Sequence, residues 1–447
     1  MTLARMVVGD AVEALGTLES GSVDLVVTSP PYLGQRDYLA GDDPAKAAEI
    51  GREESPAAYL EALLDVTDAA RRILAPHGSI AVELGDSYTD TGRRGGGAAV
   101  KSGAGWPLAK SLVCAPALFE VALAYGCNPL SGAHHHQWIV RNFVTRCTTN
   151  PTPGRDADKF RPASTHVTVA CTSTDRYFDD VAVRRAPTED AVARGSRGRK
   201  NRYAGHGRER CVADGVNAAG APMLDWAHPD HIVLATQPYL GAHFATFSEL
   251  FVAPFVESMC PLRVCRICGE PSRRIAMPGI DHADQLDQTI GRELEPVGAR
   301  KRLVSGEHTD AVHVTVGWTA CEHTEDGLWS PGWAEVHERA VSLMNLAQRS
   351  RRRSVAERRK DRAAALEAYL ELAECYQGAV DGRHKGAMWR PGIVLDPFCG
   401  TGTALLVATR LGRDAIGIDL DAKNVPLVVE RVGMHLESVG SLGRVAV

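Results

Sequence analysis

No apolar run in this chain approaches the length of a membrane span, so the 447 residues predict no transmembrane helix and no membrane partner. No secretory leader opens it either. MTLARMVVGDAVEAL passes straight into strand and helix patterning, and the cytoplasm is the expected location. Its 11 cysteines are too few and too scattered for a disulfide scaffold at this length. Only Cys265 and Cys268 form a pair with metal-ligand spacing. A net positive charge is missing as well: the formal charge of −5 excludes a global attraction to nucleic acid. There is no internal repeat, and no Gly-Lys-Ser/Thr follows any glycine turn, which excludes a P-loop.

What is present is ordinary for a globular protein, with 44% hydrophobic and 23% charged residues. The length suits two or three domains. The basic residues are clustered. One Gly-rich stretch carries Arg194, Arg197, Arg199, Lys200, Arg202, Arg208 and Arg210. Another carries Arg349, Arg351, Arg352, Arg353, Arg358, Arg359 and Lys360. Such patches bind phosphates whatever the net charge, or are solvated surface.

Patterning divides the chain. Residues 5–8 read as a strand ending at Gly9-Asp10, with a helix over 11–18 and a β-branched strand over 23–27. Residues 33–54 are polar and Gly/Asp-rich, the composition of a mobile loop. Ser55-Pro56 opens a helix that runs to about Leu74 and stops at Pro76-His77-Gly78. Strands are expected at 79–84, 137–141 and 166–171, and a helix at 115–125. Periodicity is lost over 185–225 and returns near Ile232. A helix over 247–259 should be kinked or split by Pro254. Residues 260–326 form a cysteine-bearing insert with a loose middle at 280–310, and 332–378 are helical in composition. Strand 393–395, helix 403–411, strand 415–419 and helix 422–436 close the chain.

Two stretches stand out. Strand 23–27 ends abruptly at Thr28-Ser29-Pro30-Pro31-Tyr32; two prolines cannot continue a ladder, and a stiff turn at a strand's carboxyl end is where open α/β sheets place ligands. Taken alone it is equally a Pro-stiffened loop. Near the other end, strand 393–395 leads into Asp396, a Gly400-Thr401-Gly402 turn and a helix. Glycines there allow close backbone approach and leave helix N–H groups facing a ligand. The next strand ends at Asp419, placed to accept hydrogen bonds from ribose hydroxyls. This is the layout of a site for a nucleoside-containing cofactor.

Asp396-Pro397-Phe398-Cys399-Gly400-Thr401-Gly402 resembles the S-adenosylmethionine loop of amino-methylating DNA methyltransferases, and Thr28-Ser29-Pro30-Pro31-Tyr32 resembles their catalytic signature. The catalytic motif comes first and the cofactor loop last, as in the permuted beta class. Gly9-Asp10-Ala11, Gly85-Asp86-Ser87-Tyr88, Trp138 to Pro153, Arg176-Tyr177-Phe178-Asp179 and Gly241 to Phe247 are similar to further segments of that family. The inserts at 185–225 and 260–390 are not well covered.

The resemblance implies an α/β fold, a Rossmann-like methyltransferase domain with a mixed, mostly parallel sheet. Residues 1–184, 231–259 and 390–447 would build it, around a target-recognition insert at 185–230, a zinc-ribbon-like insert at 260–330 and a helical insert at 331–389. It implies double-stranded DNA as partner, and admits a cognate restriction endonuclease without requiring one. Asp10, Thr28, His243, Phe247, Asp396, Pro397, Phe398, Gly400, Thr401, Gly402, Thr403 and Asp419 would hold the cofactor. The target is an exocyclic amine, so no cysteine nucleophile is needed, and Cys399 reads as a small packing residue. The Pro30 carbonyl, stiffened by Pro31, would accept one amine hydrogen. Ser29 would take or relay the other, and Tyr32 would stack on a base taken out of the helix. Ser rather than Asp at position 29 resembles the N4-cytosine branch, although some adenine enzymes of this class share it. N6 of adenine is the alternative, and RNA a remote one. A non-catalytic DNA-binding protein with a retained cofactor fold is the rival of another class.

Cys265-x-x-Cys268 followed by Gly269, with Cys321-x-His323 later, suits a tetrahedral structural zinc, with Cys260 a spare ligand. The bland alternative is reduced cysteines in a turn. His134-His135-His136 reads as a polar loop, since adjacent side chains cannot all face one metal.

Overall fold

Strand β1 (Ala4–Val8) belongs to the main sheet and lies one strand in from its edge. The computed structural model describes residues 2–35, 37–89, 103–151, 158–184, 230–234, 248–278, 313–318 and 389–441. After β1 come α1 (Ala11–Thr17), β2 (Val23–Thr28), α2 (Pro56–Ile73), β3 (Leu74–Leu84), α3 (Ala115–Tyr125), β4 (Ile139–Thr148), β5 (Ser164–Cys171) and β6 (His231–Leu234). Then follow α4 (Glu249–Met259), β7 (Val264–Cys265), β8 (Arg274–Pro278), β9 (His313–Trp318), β10 (Trp389–Arg390) and β11 (Ile393–Asp396). The chain closes with α5 (Thr403–Arg410), β12 (Asp414–Asp419), α6 (Val425–Val432) and β13 (Leu436–Ser441).

Nine strands form one sheet in the order β13-β1-β12-β11-β2-β3-β5-β4-β6. Within this sheet every described pairing is parallel except those of β5 with β3 and β4. Both faces are covered. On one, Leu15 of α1, Leu63 and Leu64 of α2 and Phe119 of α3 pack against Val26, Ile80 and Leu395. On the other, Phe251 and Val256 of α4, Leu405 of α5 and Val428 of α6 pack against Leu25, Val27, Ala81 and Val394. Adjacent residues along β2 and β3 therefore point into different cores, which is why these strands read as continuous apolar runs.

The parallel pairing of β2 with β11, Leu25 opposite Val394 and Val26 opposite Leu395, joins the two chain ends at the sheet's centre. A buried polar knot fastens the opposite end of the same strands. Asp24 accepts from Arg390 at 2.5 and 3.2 Å and from the Ile393 backbone at 2.7 Å, and lies 2.8 Å from His77 Nε2. Burial works against its charge, but His77 and Arg390 outweigh it and hold the carboxyl below its ordinary range.

Several expectations change. Helix α2 starts at the Ser55 cap and Pro56 and ends at Ile73, as expected, but β3 begins at once at Leu74 and runs through Pro76-His77-Gly78, five residues ahead of the expected start at Ser79. The β2–β3 register shifts between Val23 and Leu25, and that irregularity is what admits a proline. Pro254 does not split its helix: α4 is continuous from Glu249 to Met259, and the carbonyl four residues back belongs to Leu250, which is 58% exposed to water. Residues 33–54, expected as a loop, hold a 3-10 turn, Pro44–Ala48, capped by Asp43. The final helix covers the expected stretch as a 3-10 turn (Ala422–Asn424), α6 and a second 3-10 turn (Gly433–His435), and β13, a strand the periodicity does not announce, adds to the edge at β1. Strands β8 and β9 pair antiparallel as a separate two-stranded sheet inside the cysteine-bearing insert. The Arg-rich segments at 194–210 and 349–360 and the helical insert lie outside the described residues.

Candidate active site

The carboxyl ends of β1, β2, β11 and β12 open onto one crevice. Gly9, Asp10, Ser29 and Pro31 form one wall; Pro397, Phe398, Gly400, Asp419, Asp421 and Asn424 form another. The two motifs far apart in sequence thus line one shared crevice.

Their contact is direct. Thr28 Oγ1 donates to Asp396 Oδ1 at 2.6 Å, and the Phe398 N–H donates to the same oxygen at 3.1 Å. Asp396 is buried and does not line the crevice; it ties β2 to the glycine loop from behind. Burial pushes its pKa up to about 7, against the two hydrogen bonds that favour the ion. Thr28 is likewise buried.

Gly400 and Gly402 have φ of +49° and +77°, the left-handed region that glycine enters without penalty. A side chain at Gly402 would meet Val428 at 3.2 Å, whereas Gly400 faces open space. Asp419, at the tip of β12, accepts from the Gly400 N–H at 2.7 Å, the Asp421 N–H at 2.9 Å and Asn424 Nδ2 at 3.0 Å. These bonds fix the loop's shape; burial nevertheless raises the pKa of Asp419. Thr401 Oγ1 accepts from Arg431, and Thr403 begins α5, both buried. Cys399 Sγ lies 2.9 Å from the point a Gly417 side chain would occupy, so it fills the space of a missing Cβ. Asp10 caps α1, accepting from the Glu13 N–H at 2.9 Å, and still borders the crevice.

The Pro-Pro turn is held from outside. Tyr59 Oη donates to the Pro31 carbonyl at 2.9 Å, which fixes the turn and with it the Pro30 carbonyl. Ser29 Oγ and Tyr32 Oη are 3.2 Å apart. The Tyr32 ring rests on Gly85 at the end of β3, where an added Cβ would meet it at 2.5 Å. Burial raises the Tyr32 pKa far above its ordinary value, so the phenol keeps its proton.

The segment read as a mobile loop supplies residues the sequence reasoning missed. Tyr38, Leu39, Ala48, Glu49 and Ile50 line the crevice. Buried Glu49 accepts from the backbone N–H groups of Tyr38 and Leu39 at 2.8 and 3.4 Å and pairs with Lys46 at 2.6 Å. The signal for this order was Asp43-Pro44, a cap followed by a proline. Asp421 and Asn424 were also missed.

His243 and Phe247 lie outside the described residues, as do Cys321 and His323. Cys265 and Cys268 stand on a tight turn in which the Gly269 N–H donates to the Cys265 carbonyl at 3.0 Å and the Ile267 N–H to Cys265 Sγ at 3.4 Å. No group of three or more metal-ligating side chains occurs among the described residues. Cys260, the spare candidate, is buried in the core against Gly392. Of the three consecutive histidines, His135 is buried between Asp68 and Glu61, 2.9 Å from each.

The sequence profile of the N6/N4 DNA methylase family matches residues 23–249 and 390–430. Type II methyltransferase M.Cfr9I of Citrobacter freundii is 27% identical over 325 residues, spanning 70% of this chain and 91% of that one. Type II methyltransferase M.SmaI of Serratia marcescens is 43% identical over 89 residues, 20% of this chain and 28% of that one. The solved structure of PvuII DNA methyltransferase (cytosine-N4-specific) aligns over 98% of this chain and 95% of its own, with a TM-score of 0.43 and 11% identity. With the profile covering more than half of its length on both sides of the long insert, this chain belongs to the N6/N4 DNA methylase family.

Proposed function

We propose that the protein transfers a methyl group from S-adenosylmethionine to the exocyclic N4 of cytosine in duplex DNA, with the base turned out of the helix. The observation that carries the reading is that Ser29 and Pro31 face Gly400 and Asp419 across one crevice. The cofactor fits the residues present. Open space in front of Gly400 admits close backbone approach, and Asp10, Asp419 and Asp421 give an acidic rim suited to hydroxyls and to a cation. Once bound, the cofactor supplies an already activated methyl group on a sulfonium.

The chain's task is to orient a weakly nucleophilic amine. The Pro30 carbonyl accepts one amine hydrogen. Ser29 Oγ lies 3.2 Å from Tyr32 Oη; with the tyrosine as donor, the serine oxygen keeps a lone pair for the other hydrogen and relays the released proton towards solvent. A neutral serine at position 29 supports cytosine N4. The matched family also includes N6-adenine enzymes, so adenine is the second reading. Long-read sequencing of DNA from cells expressing the protein reports base and site together. Modified adenine would replace the first reading by the second, and unmodified DNA with cofactor still bound by the purified protein would overturn both.

A further inference from the structure

The residues just ahead of β5 expose a whole aromatic ring: Phe160 is 97% exposed. A solitary exposed apolar side chain is common and carries nothing alone. Its setting is what matters. Phe160 lies between Lys159 and Arg161, and β5 begins at the end of the sheet where Ser29, Gly85 and Asp419 sit, since His166 pairs with Leu84. The Thr148 N–H donates to the Ala163 carbonyl at 2.7 Å, which ties this segment to the end of β4. Strand β5 neighbours β3, and β3 neighbours β2. Strand spacing therefore puts β5 roughly 10 Å from the strand carrying Ser29, and the stretch from Ser164 back to Phe160 spans at most about 13 Å. Both lengths are of the order of the ~12 Å major groove.

The surroundings are aromatic and cationic. Lys159 Nζ stands 3.4 Å from the Tyr88 ring centroid. Phe143 and His166 stack with centroids 4.6 Å apart and planes 7° apart. Lys110 pairs with Asp158 at 2.8 Å.

We propose that Phe160 is a wedge that enters the duplex beside the target nucleotide, while Lys159 and Arg161 lie along the flanking phosphates; this rests on the reading of DNA as substrate. A base leaves the stack only by giving up stacking and pairing. An apolar ring that fills the vacated space offsets that loss, and a phenylalanine does so with no polar group to satisfy. The two adjacent cations set the ring's register on the backbone, which phosphate contacts do without reading sequence.

The test compares the wild type, Phe160→Ala and Phe160→Trp on two duplexes carrying the site mapped by sequencing, one with the target base paired and one with it mismatched. Phe160→Ala should lower kcat/KM roughly tenfold or more on the paired duplex and less than about twofold on the mismatched one, whose base is already loosened. Phe160→Trp should retain activity on both. The fluorescence rise of 2-aminopurine at the target position should be lost with Phe160→Ala. Thermal unfolding should not change, because the ring packs against little. An equal loss on both duplexes, or none on either, overturns the wedge alone. A wild-type protein that methylates no DNA overturns the functional reading and the wedge with it.

Discussion

Ser29 and Tyr32 act as a unit because one hydrogen bond joins them and Gly85 leaves just enough room for the ring. Ser29→Ala is expected to lower kcat by about a hundredfold, the lower range for a positioned proton-transfer group, with cofactor affinity by calorimetry unchanged. Tyr32→Ala should likewise abolish turnover and keep cofactor affinity; loss of cofactor binding would place the tyrosine in the wrong role. Gly85→Ala should mimic it by pushing the ring away. Asp396 gives a pH signature. Its pKa is raised to about 7 in the fold, above the ordinary carboxyl value near 3.8. The folded state therefore holds a proton that the unfolded chain releases. Its stabilising contribution is full below about pH 4 and is lost as pH rises through 7. Asp396→Asn keeps an oxygen for Thr28 and Phe398 and lacks this dependence. The unfolding free energy of wild type minus variant should fall, by on the order of a few kcal/mol, between pH 4 and 7.5. Chemical denaturation across that range checks it, and a flat difference would contradict it.

Residues 38–50 are the element whose role changed most. Polar and Gly/Asp-rich composition predicts a mobile loop, but buried Glu49 gathers the Tyr38 and Leu39 N–H groups and Lys46 and makes the segment a wall of the crevice. Glu49→Ala would leave those N–H groups without their acceptor, a cost of about 1–3 kcal/mol borne locally. Cofactor affinity should weaken roughly tenfold or more while the melting temperature of the domain shifts little. Isothermal titration and a thermal melt separate the two. The Cys265–Gly269 turn is a second element with one clear test. If the later Cys321 and His323 complete a tetrahedral site, purified protein should carry about one zinc per chain, reduced by Cys268→Ser. Metal analysis showing none would leave a pair of reduced cysteines.

At the scale of the whole molecule, the knot of Asp24, His77 and Arg390 fastens the point where the long insert rejoins the sheet, on the same strand that carries Ser29. Asp24→Asn breaks a buried charge pair and should destabilise by about 3–5 kcal/mol in urea unfolding. Much of the architecture was legible from the sequence. The runs at 23–27 and 393–395 are β-branched and end at prolines or glycines, so their strands and ligand ends follow from local chemistry. The Ser55 cap and Pro56 set the start of α2, and the glycines of 400–402 require a turn only they can make. Composition excluded a disulfide scaffold, and the two motifs together carried the resemblance to the family. The local pattern could not show which partner a buried group meets. That Asp396 faces Thr28 instead of the crevice, that Tyr32 lies on Gly85, that Glu49 orders a polar loop and that a proline enters β3 at a register shift all depend on residues distant in the chain. The sequence by itself determined the elements and the chemical groups at their ends, because propensity, capping and turn geometry act within a few residues. The tertiary structure alone decided which of those groups are desolvated, paired or open to a ligand, because burial and hydrogen bonding depend on what the sheet order brings alongside.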